Sequence, residues 1–246
     1  MLNFRSTKAM RNIQVCYSPA LFQFYDSVDR IVVVTDVLRA TSAICTAFQH
    51  GVKAIIPVAT IEEARQYRQM GYMAAAERNG IVQDGFEFGN SPFSYMSDNV
   101  KGQTIALTTT NGTQAVDIAK NASKVIIGSF LNLTAVANWI LQQNENVTVL
   151  CSGWKNRYNM EDTLFAGALV EALKGEIEST DYDDAALAAQ RMYNEAKDDL
   201  YGFLENSSHR HRMNRLDLEK DVRYCLQLDV TDVVPILQGK HIVKAY

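Results

Sequence analysis

The sequence predicts an α/β sandwich, a sheet covered by helices on both faces and built by duplication of a strand–loop–helix unit. Three features carry that expectation. Apolar β-branched runs are too continuous for a half-exposed sheet, helical patterns alternate with them, and the order strand, polar loop, helix, strand, helix recurs about 72 residues further along.

In chain order, strands are expected at IQVCY (13–17), IVVVT (31–35), KAIIPV (53–58), TIALT (104–108), KVIIG (124–128) and VTVLC (147–151). The helix after the second strand lines up Ala43, Ile44, Ala47 and Phe48 on one face, and Gly51 follows as a stop signal. The helix near 160 carries Leu164, Phe165, Ala168, Leu169, Ala172 and Leu173 as a core-facing stripe. Laid over one another, VVVTDVLRATSAI and TIALTTTNGTQAV place Thr41 and Ala43 on Thr113 and Ala115, and Lys53-Ala54-Ile55-Ile56 falls on Lys124-Val125-Ile126-Ile127. Duplication implies two equivalent strand-end loops, DVLRAT and TTTNGT. With SGWKNRYNMED after the sixth strand, three loops are expected to converge at the carboxyl ends of parallel strands, where open α/β sheets seat ligands.

After residue 175 the stretch ESTDYDDAALAAQRMYNEAKDDLYGFLEN reads as a charged amphipathic helix, either a cover over the sheet or a homodimer surface. SSHRHRMNRLDLEKDVRYCLQL adds further helix and DVVPIL an edge strand; His209 and His211, flanking Arg210, read as a solvated or anion-contacting turn. No Ser/Gly/Pro-rich linker interrupts the chain, so residues 1–246 are expected to form one compact unit, with two intertwined repeats of about 11–100 and 101–246.

A formal charge of -4 argues against nucleic acid or an anionic membrane as partner. Neither a secretory signal nor a run of about 20 apolar residues is seen, so a cytoplasmic location is expected. Cys16, Cys45, Cys151 and Cys225 are too dispersed for a disulfide framework and read as reduced thiols.

Four segments concentrate polar chemistry. In the first, Asp36 at a strand end suits a hard cation such as Mg²⁺ and Arg39 suits phosphate or sulfonate oxygens, the plainer alternative being an Asp36–Arg39 structural pair. AERNGIVQDGFEFGNSP sets Glu77, Asp84 and Glu87 among Gly80, Gly85 and Gly89, where bare backbone can approach a ligand. TTTNGT crowds hydroxyls before a helix, an arrangement suited to an anion. CSGWKNRYNMED opens a helix with Glu161 and Asp162, residues that N-terminal capping would also explain, and Cys151 to Arg157 matches the C-x5-R spacing of cysteine phosphatases.

These four segments, in this order and spacing, together with DVRYCLQLDVTDVVP, resemble the 2-phosphosulfolactate phosphatase family from about Ile13 to the C-terminus. The resemblance implies a three-layer α/β/α fold with an internal duplication and an Mg²⁺-dependent phosphatase acting on phosphate esters of 2-hydroxycarboxylic acids, typified by 2-phosphosulfolactate in coenzyme M biosynthesis. Carried over residue by residue, the motif positions are Asp36, Arg39, Thr41, Glu77, Arg78, Gly89, Asn90, Ser91, Asn111, Gly112, Thr113, Cys151, Gly153, Arg157, Glu161 and Asp162. The departures are Ala76, Glu87 and Lys155-Asn156, where the family usually has glycine, aspartate and glycine; the last pair is expected to reshape the pocket.

The implied roles are Mg²⁺ on Asp36 with Glu77 or Glu161/Asp162, arginine clamps from Arg39, Arg78 and Arg157, and a remaining carboxylate to orient water. Asp36 as a covalent nucleophile, a metal-independent cysteine phosphatase using Cys151 and Arg157, and a non-catalytic binder of small anions stay open as alternatives.

Overall fold

A computed structural model of the chain describes residues 12–176 and 182–245. Most of the N-terminal segment read for a signal, residues 1–11, and the start of the charged stretch, residues 178–181, lie outside the described residues.

The expected strands form where the β-branched runs lie: β1 Ile13–Cys16, β2 Arg30–Thr35, β3 Ala54–Pro57, β6 Thr104–Thr108, β7 Lys124–Gly128 and β8 Asn146–Cys151. Two further strands, β4 Met73–Arg78 and β5 Ile81–Val82, fall in or beside the segment read as a loop. The run Ala74–Ala76 lacks the branched residues that signal a strand, and pairing with β6 supplies the order that propensity does not. Between the strands lie α1 Ala40–Gln49, α2 Ile61–Gln69, α3 Gly112–Ala119, α4 Leu133–Gln143 and α5 Met160–Ala172. The C-terminal third forms α6 Asp184–Ala196, α7 Leu200–Phe203, α8 Ser208–Arg215 and α9 Glu219–Cys225. A hairpin of β9 Pro235–Gln238 and β10 His241–Lys244 follows.

All ten strands join one sheet in the order β1-β8-β2-β7-β9-β10-β3-β6-β4-β5. Its topology repeats one order of elements. In β2–α1–β3–α2–β4 and β6–α3–β7–α4–β8, each unit sends its first strand across to the other, so β2 pairs with β7 and β8 while β6 pairs with β3 and β4. Parallel pairing holds within the block β1-β8-β2-β7 and within the block β3-β6-β4. The β9–β10 hairpin joins them through antiparallel pairs on every side, so the two blocks run in opposite directions and the sheet is mixed. This also corrects the reading of DVVPIL: Pro235 opens a strand inside the sheet, at the first position, where a missing N–H is tolerated.

Side-chain alternation divides β2 between two cores. Ile31 and Val33 pack with α4, α5 and the C-terminal helices, whereas Val32 and Val34 pack with α1 and α3. The second core also takes Ile55, Ile105 and Leu107 from the opposite block, and α2 covers that block's other face through Ala64. Helices therefore cover both faces, the three-layer α/β/α arrangement. The long charged stretch serves as a cover: α6 lays Ala186 and Ala189 on α5, whose residues Glu161–Val170 are all buried.

Candidate active site

The repeated order brings the two equivalent loops face to face. Ala40 opens α1 and Gly112 opens α3, and a Cβ at Gly112 would lie 2.8 Å from the Ala40 Cβ and 3.1 Å from Asp36 Oδ2. Only glycine permits this approach, which sets the β6–α3 loop against the Asp36 carboxylate. The β8–α5 loop is tied in by Asp162: its Oδ1 accepts from Val37 N at 2.9 Å and its Oδ2 from Gly153 N at 3.0 Å. Lys155 N donates to Asn111 Oδ1 at 3.1 Å, joining that loop to α3. Asp162 is thus a buried clamp between two loops, its oxygens engaged by backbone.

Asp36, Glu77, Asn90 and Asn111 line one small cavity with Arg39, Gly80, Trp154, His209, Arg212 and Met213, and its volume is about 10 Å³, room for little more than a water. Burial pushes the Asp36 carboxyl up to about 6, and the neighbouring Glu77 and Glu161 add to the rise, against the opposing pull of His209 and the Ala40 N–H. Glu77, next to last in β4, is held by the Gly80 N–H, by Asn90 Nδ2 at 3.2 Å and by Thr110 Oγ1 at 3.5 Å. Glu161, fully buried, pairs with His209 Nδ1 through Oε1, while its Oε2 has no hydrogen-bond partner. Burial alone would raise its pKa, but His209, the backbone and Arg212 carry it below the usual carboxylate range.

The predicted arginines separate. Arg39 is buried beside the cavity, where it pairs not with Asp36 but with Asp221 of α9 at 3.0 Å and with the Gly80 carbonyl at 2.9 Å, leaving Nε unpartnered. Arg78 follows Glu77 on the strand and so projects to the opposite side, where it donates to Thr108 Oγ1 at 2.9 Å and lines a different cleft of about 660 Å³. That larger cleft is lined by neither Asp36 nor Glu77, so carboxylate chemistry rather than volume makes the smaller cavity the candidate site. Arg157 is exposed on the Trp154–Arg157 hairpin and does not line the cavity.

The hydroxyls expected to hold an anion are engaged within the protein: Thr108 and Thr110 bond across to Arg78 and Glu77, and the others within their own loops. Thr41 Oγ1 accepts from Asp36 N at 3.1 Å, and Thr113 exchanges hydrogen bonds with Thr109. Ser91 caps a 3₁₀ turn at Pro92–Tyr95 and does not line the cavity, and Asp84 and Glu87 are exposed. Gly153, at φ +59, starts the hairpin, and a Cβ there would fall onto the Arg157 carbonyl oxygen. Lys155 and Asn156 take left-handed backbone at its tip and are exposed, so these departures lie outside the cavity.

Arg212, Asp221 and Trp154 are residues that sequence reasoning missed, and His209, read there as part of a solvated or anion-contacting turn, was not set beside the carboxylates. The HRHR run lies at the start of α8, capped by Ser207 Oγ on Arg210 N at 3.1 Å, with His209 and Arg210 buried and His211 exposed. Glu161, the partner of His209, is 48 residues away, so no local spacing signals the pair. Trp154, an aromatic inside a polar loop, carries a visible signal in the sequence.

Two chemistries can be compared with this geometry. Among the described residues, no three His, Cys, Asp or Glu groups are placed to hold an ion unaided, so Asp36, Glu77 and Glu161 do not form a ready-made cage. The hard oxygens of Asp36 and the orphaned Oε2 of Glu161 do suit Mg²⁺, which is commonly held by one or two carboxylates and keeps its waters. Cysteine chemistry fits poorly. Cys151 lies in the core between sheet and α5, and burial with Asp162 nearby pushes its thiol well above the ordinary range, opposite to what a thiolate nucleophile requires.

The family model for 2-phosphosulpholactate phosphatase matches residues 16–240. A "Probable 2-phosphosulfolactate phosphatase" of Thermotoga petrophila is 41% identical over 218 residues, covering 88% of this chain and 93% of the relative. Proteins of the same name from Caldanaerobacter subterraneus and Clostridium acetobutylicum are each 37% identical, covering 87% and 84% of this chain and 90% and 89% of their own lengths. A match spanning both repeats and every loop that meets at Asp36 leaves one assignment: the chain belongs to the 2-phosphosulpholactate phosphatase family, and its activity is that of a phosphoric monoester hydrolase.

Proposed function

We propose that this protein hydrolyses the phosphate ester of a 2-hydroxycarboxylic acid, with 2-phosphosulfolactate as the expected substrate and Mg²⁺ as the cofactor. The observation that carries the reading is the meeting of Asp36 and Glu77 with Arg39, Arg212 and His209 around one cavity, with Glu161 bound to His209 beside it. A multiply charged ester needs both signs there: cations meet its oxygens, and carboxylates hold the metal and handle protons. Asp36 and Glu161 would hold the ion, which when bound supplies positive charge opposite the phosphate.

Glu77 is held by three donors from separate segments and is a positioned acceptor for a water proton. His209 has Nδ1 held by Glu161, leaving Nε2 as the nitrogen that can protonate the leaving alkoxide. Asp162 keeps the loops in register and takes no direct part. The test is phosphate release from 2-phosphosulfolactate and simpler 2-phospho-hydroxy acids, in Mg²⁺ and in chelator. Release that requires Mg²⁺ is expected; release undiminished by chelator would refute the metal assignment, and no release from any ester would refute the reaction.

A further inference from the structure

We infer that Arg212, laid flat on Trp154, is the residue that receives the phosphoryl oxygens, an inference resting on the reading of this cavity as a phosphomonoesterase site. The expected clamps are elsewhere engaged or absent from the cavity, as Arg39, Arg78 and Arg157 show. Arg212 differs. Its Nε and Nη2 are both buried without a hydrogen-bond partner among the described residues, although it lines the cavity. Those two nitrogens form the edge of a guanidinium that donates a parallel pair of hydrogen bonds to an oxyanion. Left empty, that edge carries a desolvation cost; two phosphoryl oxygens satisfy it.

The edge is held in orientation. The Arg212 guanidinium carbon lies 3.5 Å from the Trp154 ring centroid, a stacking that restricts rotation of the fork. Trp154 is in turn fixed by a backbone hairpin, accepting from Arg157 N at 3.0 Å and donating to Arg157 O at 2.9 Å, with Gly153 tied to Asp162. One helical turn before Arg212, on the same side of α8, His209 is bound to Glu161. Arg212 therefore reaches the site from a helix anchored to a catalytic carboxylate. Arg212 lines the same cavity as Asp36 and Glu77, which places it at the reacting phosphate rather than at a remote acid group.

The test uses the full chain in Mg²⁺ and inorganic phosphate as probe, read both as a competitive inhibitor and by titration calorimetry. Arg212→Lys keeps the charge but loses the fork, and Arg212→Ala loses both. Each is expected to raise the inhibition constant of phosphate and the KM of the ester together, roughly 10- to 100-fold for Arg212→Ala. Trp154→Leu should shift both in the same direction with Arg212 intact, and Trp154→Phe should restore most of the loss. A rise in KM with unchanged phosphate affinity would assign Arg212 to another acid group and overturn the inference, as would no change in either constant.

Calorimetry separates this from the reaction itself. If no ester is hydrolysed, the reaction assignment fails, while phosphate binding that is lost in Arg212→Ala still supports the receptor. Binding unaffected by that substitution, or no phosphate binding by the unaltered protein, overturns it. Far-UV spectra and unfolding midpoints matching the unaltered protein qualify Arg212→Lys as the deciding variant.

Discussion

At Asp36 the requirements of stability and of chemistry oppose each other. Its carboxyl titrates near 6 in the folded chain against about 3.9 in an unfolded one. The folded state thus holds a proton that the unfolded state releases, and the stabilisation present below about pH 4 is lost as pH rises through 6. At neutral pH this amounts to about 3 kcal/mol. In chelator, Asp36→Asn is accordingly expected to raise the thermal midpoint at pH 7–8 and to lose that advantage near pH 4; an equal gain at both pH values would count against the buried carboxylate as its source. The same substitution should lower turnover at least about 100-fold in Mg²⁺. Cys151→Ser makes a contrasting prediction: ester hydrolysis should persist within a few-fold, because the thiol sits in the core, and abolished turnover in a folded variant would revive the cysteine mechanism.

Among the elements, the meeting of α1 and α3 is the most sensitive. Gly112→Ala puts a methyl group against Ala40 and the Asp36 carboxylate, so a loss of about 1–3 kcal/mol in urea unfolding is expected, with turnover falling as Asp36 is displaced. Near-normal stability and turnover would mean that the loops separate freely. Helix α8 presents a different behaviour. It contributes His209, Arg212 and Met213 to a cavity too small for a phosphate ester, so substrate entry requires its walls to move, and α8 is the wall expected to do so. Amide exchange in 208–215 should be faster than in α5 and should slow on adding phosphate; exchange indifferent to phosphate would exclude α8 from the binding event. Seven strands and most helices were legible because β-branched runs and apolar stripes are local signals, but β4 was not, since alanines order there only by pairing with β6.

Across the whole molecule, the β9–β10 hairpin holds the two blocks together. Ile242 is fully buried, pairs with Ile55 and packs in the core shared by both blocks. Ile242→Ala should cost about 2–5 kcal/mol and lower a single cooperative transition, with far-UV and tryptophan fluorescence signals coinciding. Two separate transitions would show that the blocks unfold independently. Read without its fold, the chain determined most of its helices, seven of its strands, its repeated strand-end loops and the carboxylates at their ends, since these depend on neighbours a few residues apart. Tertiary structure alone decided that the blocks oppose each other, that Arg78 and Arg157 stay out of the cavity, and that His209, Arg212 and Asp221 line or support it. Those outcomes depend on which face a strand buries and on contacts such as Arg39–Asp221, 182 residues apart, for which local periodicity carries no information.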